Sequence, residues 1–184
     1  PVTPNPNGNK RVFPEMEVLL ENEYEKFGID PYTGINQIVE KLPFATREMN
    51  MRLVVRTNDP YAGTLNHKNL NFYVDGTAGP FRITSQSDST IWDVGSDETI
   101  TWDVANTDDP NGVNCQAVDI LLSLNGDGNF DFIIAESVPN TGSYTFTISP
   151  TIPTDSARLM IHASDNIFFD INNGKINIQN ANIP

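Results

Sequence analysis

Four oxygen-bearing side chains fall at alternate positions in the stretch Asn125-Gly-Asp127-Gly-Asn129-Phe-Asp131. A hard cation such as calcium wants six or more oxygen ligands, and this spacing resembles the opening of a calcium loop. The distal glutamate and the sixth-position glycine of an EF-hand are both absent. The same NGDGN run, two glycines among three short Asx side chains, also reads as a tight turn with positive φ. That plainer reading carries more weight. A second acidic group, Asp165 and Asp170 with Asn166, Asn172 and Asn173, flanks Phe168-Phe169. It is either a second calcium candidate or recognition edge, or a set of turns beside one core and one joint-covering phenylalanine. Calcium is the one cofactor these residues suggest.

Other chemistry finds less support. Asp97, Glu98, Asp103, Asp108 and Asp109 invite a paired-carboxylate glycosidase reading, but acidic residues scattered over turns are usually a solvated face. No GxSxG nucleophile elbow occurs. Cys115, the single cysteine, excludes an intrachain disulfide and reads as a small buried apolar residue at a strand start. His162 in an apolar strand reads as structural, and His67 in a polar loop as solvated. Exposed aromatics can stack on sugar rings. Of Trp92, Trp102, Tyr61 and Tyr73, the alternating strand around Trp102 marks it as core, and Trp92 and Tyr61 are the two chosen as ligand-binding candidates. No catalytic set emerges, so the chain is expected not to be an enzyme.

These residues sit on a chain rich in turns. Of 184 residues, thirteen are proline and twelve glycine, and Asn, Asp and Thr abound, which favours many short strands. Residues 118–148, VDILLSLNGDGNFDFIIAESVPNTGSYTFTI, read as two or three strands folded back on each other. Val118 to Ser123 is apolar and branched. Phe130, Phe132 and Ile134 share one face, and Tyr144, Phe146 and Ile148 alternate with Thr145 and Thr147. Upstream, Pro14, crowded acidic residues and Gly28 frame a helix over 15–27, with Met16, Leu19, Leu20, Tyr24 and Phe27 near helical spacing; its acidic face is solvated or docks a partner. A second short helix or turn is expected over 35–42. Alternation then predicts strands over 47–56 and 69–76, and TAGP at 77–80 reads as an interdomain joint. From Phe81 about seven strands follow in roughly 100 residues, the pattern of an Ig-like or fibronectin-like sandwich. The expectation is all-β: two consecutive β-sandwich modules, residues 1–79 partial with a short helical decoration and residues 80–184 complete.

The net charge of −13 would repel nucleic acid or an anionic membrane. No apolar run reaches the ~18 residues of a membrane span. The openings PVTPNPNGNK and NANIP are abrupt at either end, as in a piece of a longer protein.

The second half resembles a known family. TITWDVA (99–105), NCQAVDILLS (114–123), VPNTGS (138–143) and NIFFDI (166–171) match the strands and turns of the Ig-like accessory module downstream of the catalytic domain in secreted bacterial reprolysin-like zinc metalloproteases. ATREMNMRLVVRTND…NFYVDGTAGPF is similar to the end of the module preceding it, and VPNTGSYTFTI also resembles strands of Ser/Thr-rich cell-wall modules. The likeness covers residues 42–178. It implies a secreted or cell-surface, non-catalytic region that presents a catalytic domain or engages substrate, with neighbouring domains, a protein substrate or a glycan as partners. It also makes NGDGN the Asp-Gly turn of a hairpin. It does not bring protease chemistry: HExxH is absent, and the two histidines lie in different expected modules. A glycan- or cell-wall-binding adhesion module is the alternative.

Overall fold

The structure is a computed structural model that describes residues 11–57, 62–149 and 153–180. One short helix, α1 (Met16–Leu20), precedes the strands β1 (Glu25–Ile29), β2 (Asn36–Lys41), β3 (Arg47–Arg56) and β4 (Leu65–Val74). Then come β5 (Arg82–Ile83), β6 (Thr90–Asp93), β7 (Asp97–Asp103), β8 (Ala117–Ser123) and β9 (Phe132–Pro139). The last are β10 (Ser143–Thr147), β11 (Thr154–Ala163), β12 (Phe169–Ile171) and β13 (Ile176–Gln179). The all-β expectation holds. Contacts group Pro1–Leu42 with Ala78–Pro184, and Pro43–Thr77 forms a second unit. The break after Thr77 falls beside the expected joint, but residues 11–42 group with the C-terminal sandwich.

The long helix expected over 15–27 is corrected to a single turn. Met16, Leu19 and Leu20 supply one turn of apolar face, and the chain then reverses at Asn22, whose φ is 63°. From Glu25 it runs as β1, paired antiparallel with β2 where a second helix or turn was expected. Turn chemistry decides this. Asp30 Oδ1 accepts from the backbone N–H groups of Tyr32 (2.8 Å) and Thr33 (3.2 Å), and Gly34 closes the loop at φ 70°. Glu40, on β2, is buried and receives Arg11 Nη2 at 2.5 Å and the Glu15 backbone N–H at 3.0 Å.

The C-terminal sandwich has two open sheets, ordered β10-β7-β5 and β6-β13-β11-β8-β9, with β12 also on β11. All pairs are antiparallel except β13 on β6. Burial follows the period-2 pattern: Ile100 and Trp102 point inward from β7, and Val118, Ile120 and Leu122 from β8. With Trp92, Leu159, Ile161, Ile176 and Ile178 they form one core. The β8–β9 hairpin was legible, but β10 leaves it: the turn after Pro139 sends β10 to β7, in the other sheet.

Two polar side chains tie the sandwich internally. Asn140 is 4% exposed; its Oδ1 accepts from Trp102 Nε1 at 2.8 Å, and its Nδ2 donates to Thr107 Oγ1 and the Cys115 carbonyl, both at 3.0 Å. One amide thus pins the long loop 105–116 to the core. Asn172, 1% exposed, fills the gap where β12 ends and β13 begins, accepting from the Leu159 N–H at 2.7 Å and donating to the Gln86 and Gly174 carbonyls. Such saturated buried amides satisfy strand groups that no ladder reaches.

The unit Pro43–Thr77 contains the ten-residue antiparallel ribbon β3–β4, in register from Arg47↔Val74 to Arg56↔Leu65. Directly opposed residues share a face, so the ribbon is two-sided. One side carries Met49, Met51, Leu53 and Val55 against Phe72 and Leu70. The other carries Glu48, Asn50 and Arg52 against Tyr73, Asn71 and Asn69.

Candidate functional site

The Asn125–Asp131 segment folds as a turn that satisfies itself. Asp127 Oδ1 accepts from Ser123 Oγ at 3.1 Å and from the Asn129 backbone N–H at 3.0 Å. Those bonds hold its carboxyl below the usual aspartate range, the Asn129 N–H foremost. Asn129 turns its amide nitrogen, a donor, to Asp131 Oδ2 at 2.5 Å. The glycines are required: Gly126 (φ 63°) leaves no room for a Cβ, which would sit 2.4 Å from the Ser156 carbonyl, and at Gly128 (φ 83°) one would meet Met16 Cγ at 2.6 Å. The turn presses against β11 on one side and α1 on the other. Asp127 Oδ1 and Asp131 Oδ2 thus already accept from donors of the chain.

Asp165 and Asp170 do not form a pair. Asp165 is exposed, whereas Asp170 is 5% exposed and accepts from Arg82 Nη1 at 2.9 Å and the Ile83 backbone N–H at 2.8 Å. Burial raises the Asp170 carboxyl above its ordinary range, against the lowering pull of the Ile83 N–H and Arg82. Arg82 in turn lies 3.7 Å over the Tyr24 ring, a cation–π contact. Nearby, Arg158 donates to the Leu20 carbonyl (3.0 Å), Asn22 Oδ1 (2.9 Å) and the Asn172 carbonyl (2.8 Å). Arg82, Asp170, Tyr24 and Arg158 fasten the N-terminal segment to the outside of the sandwich, a job that sequence reading assigned to none of them.

Several of the remaining reactive groups are likewise engaged. Asp97 and Asp103 stand at opposite ends of β7, Asp97 accepting from Thr147 Oγ1 and Asp103 from the Ala105 N–H. Asp119, His162 and Ser164 meet, with His162 Nε2 3.4 Å from Asp119 Oδ2. The wiring is wrong for a triad, since Ser164 Oγ donates to Asp119 at 2.7 Å and not to the imidazole. The Cys115 thiol is fully buried; burial and then the nearby Asp165 push it up to about 11, far from a reactive thiolate. His67 is exposed on β4. Among the described residues, no three His, Cys, Asp or Glu side chains gather as a metal would need.

Trp92 is corrected from exposed platform to core. It is 1% exposed, packs edge-on against Phe146 with centroids 5.5 Å apart, and leaves its indole N–H without a hydrogen-bond partner. Tyr61 lies outside the described residues. Tyr73 is the exposed aromatic on the ribbon, at 64%. It shares the polar face with Glu48, Asn50, Arg52, Asn69 and Asn71, where Arg52 Nε donates to Asn69 Oδ1 at 2.9 Å. Two shallow hollows open there, one lined by Asn50, Met51, Arg52, Asn69 and Asn71, the other by Glu48, Asn71, Phe72 and Tyr73.

Residues 85–172, the greater part of the sandwich, match the model of the Kre9/KNH-like N-terminal Ig-like domain. This chain carries an Ig-like module. No curated protein matches the chain. A solved structure of the N-terminal four Ig domains of Dscam1 isoform 6.9 is similar at 11% identity and a TM-score of 0.32; the alignment covers 84% of this chain and 37% of that one. The Ig-like character agrees with a binding or accessory module. None of the described helices is long and apolar enough to cross a membrane.

Proposed function

We propose that this chain is a non-catalytic accessory and binding region of an exported multidomain protein. The observation that supports it most is the use of buried polar chemistry for construction: Asp170, Asn140, Asn172 and Arg158 all bond within the module. Function is thereby left to exposed strand faces, as in a recognition module and unlike an enzyme cleft. The motifs at 99–105, 114–123, 138–143 and 166–171 support a secreted metalloprotease as the parent, with this region presenting the catalytic domain or engaging its substrate.

Retention on immobilised matrices tests the binding role. The chain is passed over insoluble polysaccharides and over denatured protein. Saturable retention on either is expected, and retention on neither overturns substrate or surface engagement. The exposed Tyr73 among amides favours the polysaccharide arm, the second reading.

A further inference from the structure

The polar face of the β3–β4 ribbon combines a flat aromatic ring with a run of amides. Asn50 lies opposite Asn71, Arg52 opposite Asn69, and Glu48 opposite Tyr73. All six side chains are exposed, and the two hollows on this face share Asn71. Among the described residues Asn50, Asn71 and the Tyr73 hydroxyl have no side-chain hydrogen bond. From Asn69 to Tyr73 the strand rises about 14 Å, a run of amides followed by an aromatic end.

We propose that this face binds a short neutral oligosaccharide, an inference that rests on the binding-module reading. Each asparagine amide presents one acceptor and two donors, which suits the paired hydroxyls of a sugar ring. The Arg52 guanidinium, fixed by Asn69, adds planar donors, and Glu48 adds acceptors. Among these six residues the one cation, Arg52, and the one carboxylate, Glu48, roughly cancel, which suits a neutral ligand. Tyr73 offers a rigid apolar ring for the C–H face of a sugar, with its hydroxyl at the wet edge. The opposite, apolar face of the ribbon takes no part.

The test titrates the isotope-labelled full chain with neutral trisaccharides of glucose, mannose and N-acetylglucosamine while amide signals are followed by NMR. One of them is expected to move, saturably, the side-chain amides of Asn50, Asn69 and Asn71. Tyr73→Ala should weaken that binding about tenfold, while Tyr73→Phe, which keeps the ring, holds it within about twofold. If Tyr73→Ala collapses the ribbon signals, Asn71→Ala decides: weakened binding supports the site and unchanged binding overturns it. Ribbon signals unmoved by all three sugars also overturn it. Shifts confined to residues 78–180, or silence alongside retention on protein matrices, remove this site yet leave the binding-module reading standing.

Discussion

Trp102 Nε1 donates to Asn140 Oδ1 at 2.8 Å inside the sandwich, joining β7 to the turn that sends the chain from one sheet to the other. The same amide holds Thr107 and the Cys115 carbonyl, so one side chain organises the only long loop between β7 and β8. Asn140→Ala leaves the buried indole N–H and the Cys115 carbonyl without partners. The expected loss is about 2–4 kcal/mol in urea unfolding. A loss under about 0.5 kcal/mol would mean that the loop is held elsewhere.

Cys115 reports on the same loop. Its thiol is fully buried and pushed up to about 11, so reaction with a thiol reagent near neutral pH should proceed only through opening. Labelling that speeds up in Asn140→Ala, at denaturant levels well below global unfolding, is the expected result. Immediate labelling of the native wild-type chain would contradict this burial.

Arg158 should govern how the N-terminal segment stays attached. Its three bonds reach Leu20, Asn22 and Asn172, and lysine cannot span all of them. Arg158→Lys is expected to lower stability by about 1–3 kcal/mol. Hydrogen exchange should rise over 16–24 first. Equal loss of protection throughout the sandwich would show that Arg158 supports the core and not the attachment.

Asp170 gives a pH dependence with a definite sign. Burial places its folded pKa above the unfolded one, so the folded chain binds the extra proton. Its contribution is fully present below the ordinary aspartate value and is lost as pH rises through the folded pKa. Asp170→Asn removes that titration. Wild-type stability relative to Asp170→Asn should therefore fall as pH climbs from the ordinary value through the folded one, and then level off. A difference that grows with pH would mean that the attraction of Arg82, with Arg158 nearby, outweighs burial.

Strand periodicity made most of the sandwich readable. Tyr144 and Phe146, Ile100 and Trp102, and Val118 to Leu122 show their inward faces in the sequence and keep them in the fold. What depended on distant partners was not readable. Trp92 sits in a four-residue strand whose neighbour β13 lies more than eighty residues later, so its burial left no local trace. Asp170 looked like a member of an acidic cluster because its partner Arg82 is 88 residues away. The helix over 15–27 failed for a local reason: Tyr24 and Phe27 extend the spacing of Met16 and Leu20 by chance, while the DPYTG turn a few residues later commits β1 and β2 to a hairpin. Tyr73, named among the aromatics but not chosen, stood out only once the register set it beside Asn71 and opposite Glu48.

The Asn125–Asp131 turn separates a structural role from a metal-binding one. Asp127 already accepts two hydrogen bonds, and Asn129 offers Asp131 a nitrogen. Added calcium should therefore leave the thermal midpoint within about a degree of that in EDTA; a site filled a hundredfold over its dissociation constant would add ~2.7 kcal/mol, a shift of several degrees. Asp127→Ala should lower the midpoint by the same amount in both conditions, because it removes bonds to Ser123 and Asn129 that bend the chain against α1. A calcium-induced rise that Asp127→Ala abolishes would instead show the turn rearranging around the ion, with the hydrogen bonds seen here giving way to coordination.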